Sequence, residues 1–515
     1  MSKLQWLGTL GMLAVALSTA WAQDDSQSTP STAPPQPAAA YGQENSPPAV
    51  SENPPISGID LPNLEPHAAP LSYLQPGGTV SESADSNIGS STGTQSFRSI
   101  TRGIGSLALQ RVWSHYDLAM QYEGGVAYYD QSGIGWKALQ QMDLQQKISW
   151  KRGELSVRDS FSYLPEGNFG AAYGSLGSQG IASMGETSFG SFWGGTSLGT
   201  LGIVPRIMNV ALADLSENLS PKSAITAAGG YALTHFYGTD PQTGSQYLNN
   251  TQISGQFGYD RTLSAHTQVA LVYGYQAFDF TSVGTSFHSN IIQAMYGHRI
   301  SGRLDFLIAA GPQFTNIAVA SEVCSNSLLP PGFLCSLGGG TNLPSTDRSQ
   351  RIGVAGQMRF RYRFPRTSLE LSYQRFETSG SGLFAGAQTD IARLRVDRPI
   401  NRVWSGFGDL GYSRNARVAQ LSTAQLSTCV FPGQSNPNSL PPCPGIDANT
   451  YTYGFIGVGV HRAFGRDFHG FASYQFNELA FDHSYCGGLP ACSRIGNRNV
   501  ITIGLDWTPR PIRLD

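Results

Sequence analysis

The feature that most constrains this chain is a two-residue periodicity that persists for longer than soluble strands last. Residues 357 to 373, QMRFRYRFPRTSLELSY, set Arg359, Arg361 and Arg363 against Met358, Phe360, Tyr362 and Phe364. After Pro365-Arg366 the alternation resumes, with Ser368, Glu370 and Ser372 against Leu369, Leu371 and Tyr373. Period two is the period of a β-strand, whose successive side chains leave opposite faces. A protein core rejects the guanidinium face, and water rejects the aromatic one. The pattern recurs at 139 to 150, where Met142, Leu144, Ile148 and Trp150 oppose Gln141, Asp143, Gln145, Lys147 and Ser149. It recurs again at 154 to 163, at 250 to 261, and in the last strand, where Ile501, Ile503, Leu505 and Trp507 oppose Thr502, Gly504 and Asp506. Many of these segments run ten to fifteen residues. Soluble strands average about 5–6, and a tilted strand crossing a bilayer needs ~9–11.

The connections alternate in length. Short turns fall near 113 to 116, 151 to 153, 219 to 222, 261 to 264, 301 to 303, 365 to 366, 400 to 401 and 465 to 467, and longer loops lie between them. Outer-membrane barrels sort their connections this way, short on the periplasmic side and long outside. With the long loops outside, the final strand descends, and counting backwards gives seventeen patterned strands. GGTVSESADSN at 77 to 87 supplies an eighteenth, and sixteen is the fallback count. The expected fold is all-β: a single closed antiparallel transmembrane β-barrel.

Composition fits an aqueous bore inside an apolar skin. Charged residues make up 13% of the 515 residues, against roughly 25% in soluble domains. Past residue 22 no run approaches the ~20 apolar residues of a transmembrane helix, and a net charge of -2 argues against a nucleic-acid binder. Residues 1–22 read as a secretion signal, with Lys3, an apolar stretch to Leu17 and Ala20-Trp21-Ala22 before Gln23. Residues 23–76 are rich in Pro, Ser, Ala and Gln and read as a flexible periplasmic segment, leaving 77–515 as the barrel. The six cysteines fall as three local pairs outside the expected strands, which predicts the disulfides Cys324-Cys335, Cys429-Cys443 and Cys486-Cys492. Their spacing has no CxxC character and no accompanying histidines, so no metal site is expected.

Trp113, Trp150, Trp404 and Trp507 fall at the turn ends of expected strands, beside Phe364 and Phe464, as a girdle of interfacial aromatics requires. The SESADSN opening, QRVWSHYDLAMQYEGG, SFSYLPEG, NLSPKSAITAAGGY and the closing GLDWTPRP resemble the porin-like outer-membrane β-barrel proteins of acidobacteria. The likeness spans nearly all of 77 to 515 and marks architecture rather than chemistry. The chain departs from most outer-membrane barrels in following Trp507 with TPRPIRLD instead of ending on an aromatic residue. The expected location is the outer membrane of a Gram-negative bacterium. The expected partners are its lipid and lipopolysaccharide, the barrel-assembly machinery and small solutes, with a homo-oligomer among the possibilities.

In a barrel, Arg359, Arg361, Arg363, Arg393 and Arg395 face the bore as a basic patch, with Glu370 and Asp397 beside them. A two-residue turn at Pro365-Arg366 sets Arg361 opposite Glu370. Two readings of the patch stay open: an electropositive wall that favours anions, or cross-strand ion pairs that secure the barrel. The Gly- and Ser-rich stretch 164 to 206 is either a loop folded into the bore or a mobile external one. The nine histidines form no HExxH or His/Asp/Ser set, GFGDLG lies on a strand rather than before a helix, and no cofactor or enzymatic chemistry is indicated. The expected function is passive diffusion of small hydrophilic solutes, with anions among the candidates. The alternatives are export of an anionic polysaccharide and a non-conducting adhesion or structural role.

Overall fold

The computed structural model describes residues 72–88, 96–130, 134–166, 203–237, 247–324, 342–382, 384–418, 449–483 and 494–514. Its first strands are β1 (Tyr73–Asp85), β2 (Arg98–Val112), β3 (Tyr116–Tyr129), β4 (Gly135–Trp150), β5 (Gly153–Glu166) and β6 (Ile203–Ser220). There follow β7 (Ser223–Phe236), β8 (Asn250–Ser264), β9 (Thr267–Phe280), β10 (Thr285–Ser301), β11 (Leu304–Cys324) and β12 (Asn342–Arg363). The wall is completed by β13 (Ser368–Thr378), β14 (Ala387–Pro399), β15 (Trp404–Arg417), β16 (Thr450–Ala463), β17 (Phe468–Phe481) and β18 (Ile495–Trp507). Every neighbouring pair is antiparallel, and β1 bonds to both β2 and β18, which closes eighteen strands into a barrel. A short β19 (Ile512–Arg513) adds to the foot of β1.

Closure answers the polarity problem of a membrane-spanning sheet, since a barrel leaves no unpaired edge inside hydrocarbon. The outward faces are apolar along the strands: Ile253, Phe257, Tyr259, Leu271, Tyr273, Ile308, Met358, Leu371, Val458, Ile501, Ile503 and Leu505 are all exposed. Their sequence neighbours of opposite parity are polar and buried, as in Gln252, Ser254, Gln256, Thr502 and Asp506. Apolar outside, polar inside and closed on itself, the chain is an outer-membrane barrel.

The strand ladder fixes the connections as the alternation requires. Even-numbered strands run to the next odd one through 113–115, 151–152, 221–222, 265–266, 302–303, 364–367, 400–403 and 464–467. The opposite end carries the long connections, including 167–202 and 418–449. The first strand starts at Tyr73, ahead of the expected 77, because Tyr73 and Leu74 pair with β19. Cys324 closes β11 rather than standing in a loop, while Cys335, Cys429, Cys443, Cys486 and Cys492 lie outside the described residues, as do residues 1–71.

One departure from a regular cylinder matters for the bore. The β12–β13 ladder ends at Gly356↔Arg375, yet β12 continues upward against β11 as far as Cys324↔Asn342. β13 meanwhile continues against β14 up to Thr378↔Ala387. Above Arg375 the two strands therefore part company.

Candidate functional site

The basic patch assembles on three adjacent strands. Phe364 N donates to Thr367 O at 2.7 Å across Pro365-Arg366, which sets Arg363 against Ser368 and Arg361 against Glu370. The next register places Glu370 opposite Arg395 and Ser372 opposite Arg393. All five arginines thus share one face, in the half of the wall nearest the short turns.

The carboxylates that meet them differ from the sequence expectation. Arg361 turns to Asp305 on β11, donating from Nε at 3.2 Å and Nη2 at 3.0 Å, and not to Glu370. Arg393 grips Asp409 on β15 with Nε at 3.0 Å and Nη2 at 2.7 Å. Arg395 pairs with Asp397 on its own strand at 2.8 and 3.2 Å. Two-point pairing of this kind fixes the guanidinium plane as well as its charge. Asp305 and Asp409 are both buried, so these contacts are desolvated enough to hold the strands in register. Arg359 makes no ion pair or hydrogen bond with the described residues, and its Nε is buried without a partner. The patch is therefore a partly neutralised ladder in which Arg359 is the guanidinium that no carboxylate among the described residues meets. Asp305 and Asp409 are inward positions of their strands; the register sets Asp305 opposite Arg361 and Asp409 opposite Arg395, and only the side-chain geometry shows that Arg393 reaches diagonally to Asp409.

The aromatics at the short-turn end are placed by the same strands. Trp113, Trp150 and Trp507 are exposed, with Phe364, Phe464 and Phe468 beside the same turns. Trp404 is half-buried beneath Arg462, whose guanidinium carbon lies 5.3 Å from its ring centre. Arg111 covers Trp113 in the same way at 5.6 Å. Trp150 donates from Nε1 to Glu217 at 2.7 Å. An apolar ring with a polar tip suits the headgroup layer.

Two inward features escape a reading of single strands. The first is a polar seam where the barrel closes: Arg498 on β18 and Asp85 on β1 are fully buried and ion-paired, with Nε to Oδ2 at 2.7 Å. Ser83 bonds Thr502 at 2.9 Å and Thr79 bonds Asp506 at 2.7 Å along the same seam. The second is apolar. Toward the long-loop end, Phe278, Phe280, Phe287 and Ile317 form one buried inward cluster and Tyr451, Tyr453, Phe455, Leu479 and Phe481 another. Among the described residues no group of three His, Cys, Asp or Glu is placed to hold a metal ion.

No family model matches the chain, and no curated protein does. Solved structures similar to it include Pseudomonas aeruginosa OccK2 (OpdF), at 10% identity over 84% of this chain and 98% of that one, with a TM-score of 0.38. A BenF-like porin from Pseudomonas fluorescens Pf-5 matches at 9% identity over 86% and 99%, TM-score 0.38. The ferric-catecholate import receptor Fiu from E. coli K12 matches at 8% identity over 84% and 81%, TM-score 0.41. At these values no residue role passes from those proteins to this one.

Proposed function

We propose that the chain is a porin-type channel for passive diffusion of small hydrophilic solutes, with a preference for anions. The observation that carries the reading is the closed eighteen-strand wall, apolar outside and polar inside, with the arginine ladder on its inner face. A barrel of this size has room for an aqueous path. The anion preference rests on Arg359, whose charge no carboxylate among the described residues offsets, while Asp305, Asp397 and Asp409 offset Arg361, Arg395 and Arg393. The sequence resemblance to acidobacterial porin-like barrels points the same way, as do a signal peptide at 1–22 and an outer-membrane setting for the mature chain. Disulfides at the three cysteine pairs would tie the external loops.

Purified protein in planar bilayers under a salt gradient tests the reading. The expected result is stepwise conductance with a reversal potential on the anion side, shifted toward zero by Arg359→Gln. A second reading, a non-conducting surface protein, draws on the buried apolar clusters near the long-loop end. Folded protein that never conducts would select it.

A further inference from the structure

The tip of the β13–β14 hairpin lies inside the barrel. On β13 the odd-numbered residues face outward below the branch point, as exposed Leu371 and Tyr373 show. Glu377 has the same parity, yet it is buried, and its carboxylate accepts hydrogen bonds from Ser289 on β10 and from Thr315 on β11, the latter at 2.6 Å. Ser289 and Thr315 are buried residues of the inner wall. An outward-parity side chain reaches the inner face of strands two and three places away only if its own strand has bent into the bore. Gln388 repeats the evidence from β14: although its parity is outward, it accepts a hydrogen bond from the inward Arg351 of β12 at 2.6 Å.

Beyond these anchors, the tip bridges to both sides. Leu248, just ahead of β8, donates its N–H to Gly382 O at 2.8 Å. A Cβ at Gly382 would stand 2.7 Å from the Phe236 ring of β7. Ala385 packs in the cluster of Phe278, Phe287 and Ile317 from β9, β10 and β11. On the other flank Phe384 packs on Tyr451 of β16, with ring centres 5.1 Å apart, and Arg417 lies 4.7 Å over its face. β8 and β16 stand on nearly opposite sides of an eighteen-strand ring. The tip takes this path because Gly380, Gly382 and Gly386 hold φ of +75, +76 and +86°, a region that side-chain-bearing residues rarely enter.

Resting on the channel reading, we infer that this tip, anchored by Glu377 and flanked by the guanidiniums of Arg351 and Arg417, is the constriction that sets which solutes pass. The sequence had offered 164–206 for that role, most of which lies outside the described residues. The inferred filter lies toward the long-loop end, beyond the arginine ladder of β12 and β14. Solutes entering from that end meet the tip before they meet Arg359, so size is limited first and charge second.

Two variants of the full-length protein test this. Thr378 and Ala387 are a paired position, so replacing 379–386 with Asn-Gly leaves a two-residue hairpin turn of a kind that closes such pairs. That variant is expected to show a severalfold rise in single-channel conductance and to admit larger neutral sugars in liposome swelling. The double variant Phe384→Cys, Tyr451→Cys, which leaves the tip glycines intact, is expected to be cross-linked by a short bis-methanethiosulfonate reagent, because the two native rings lie 5.1 Å apart. Failure of those cysteines to cross-link in folded protein would overturn the placement of the tip, whatever conducts. Equal conductance and size limit in wild type and the shortened variant would overturn the filter alone. Silence of both in bilayers would remove the channel reading and this inference with it.

Discussion

At the scale of single residues, the bore separates charges that hold the wall from charges left free. Arg498 and Asp85 are wholly buried across the seam that joins the last strand to the first. Removing one member leaves the other as an uncompensated buried charge, which costs roughly 3–5 kcal/mol. Arg498→Met should therefore lower the denaturant midpoint of the folded barrel strongly, and Arg498→Met with Asp85→Leu should recover most of the loss. Arg393 and Arg359 make the same contrast within the ladder. Arg393→Gln strands buried Asp409 and should destabilise on the order of 3 kcal/mol, whereas Arg359→Gln should leave unfolding nearly unchanged and move only the reversal potential. Equal losses of stability would mean that Arg359 also secures the wall.

Single elements were largely readable, and the reason is geometric. Strand period is two, so a one-residue slip would expose every inward polar group to lipid, and the alternation around Arg359 or Asp143 leaves little freedom. The β12–β13 register followed from the turn at Pro365-Arg366 alone. Strand lengths were not readable: β11, ending at Cys324, has 21 residues and β12, starting at Asn342, has 22, well past the ten to fifteen of the sequence pattern. Outside the bilayer a hairpin meets water on both faces, as the run of exposed residues Thr346–Gln350 shows, and alternation ceases to mark strand. Within β11, Gly311 and Pro312 interrupt the ladder to β10, which has no bridge between Ile291↔Gln313 and Ala294↔Ala310. A Cβ at Gly311 would fall on the carbonyl oxygen of Ile292. Gly311→Ala is expected to cost about 1–3 kcal/mol through overpacking, read as a lower thermal midpoint, while Gly302→Ala, which meets open space, should be neutral.

For the whole molecule, the sorting of connections predicts orientation. If the short turns face the periplasm, a membrane-impermeant maleimide added to intact cells should label Asp347→Cys in the projecting β11–β12 hairpin and spare Lys151→Cys in the β4–β5 turn. Labelling of Lys151→Cys alone would invert the barrel. The girdle of Trp113, Trp150, Trp404 and Trp507 would then mark the periplasmic interface, where rings with polar partners such as Glu217 and Arg462 lie with their tips toward water.

What the sequence determined by itself is the wall: a strand's two faces are local, and each meets lipid or bore according to a pattern written residue by residue. Tertiary structure alone decided what fills the wall. Arg361 meets Asp305 rather than Glu370, Arg498 meets Asp85 from the other end of the chain, and the β13–β14 tip turns into the bore to reach Leu248 and Tyr451. Each of these contacts joins residues distant in sequence, and their proximity exists only once the eighteen strands have closed.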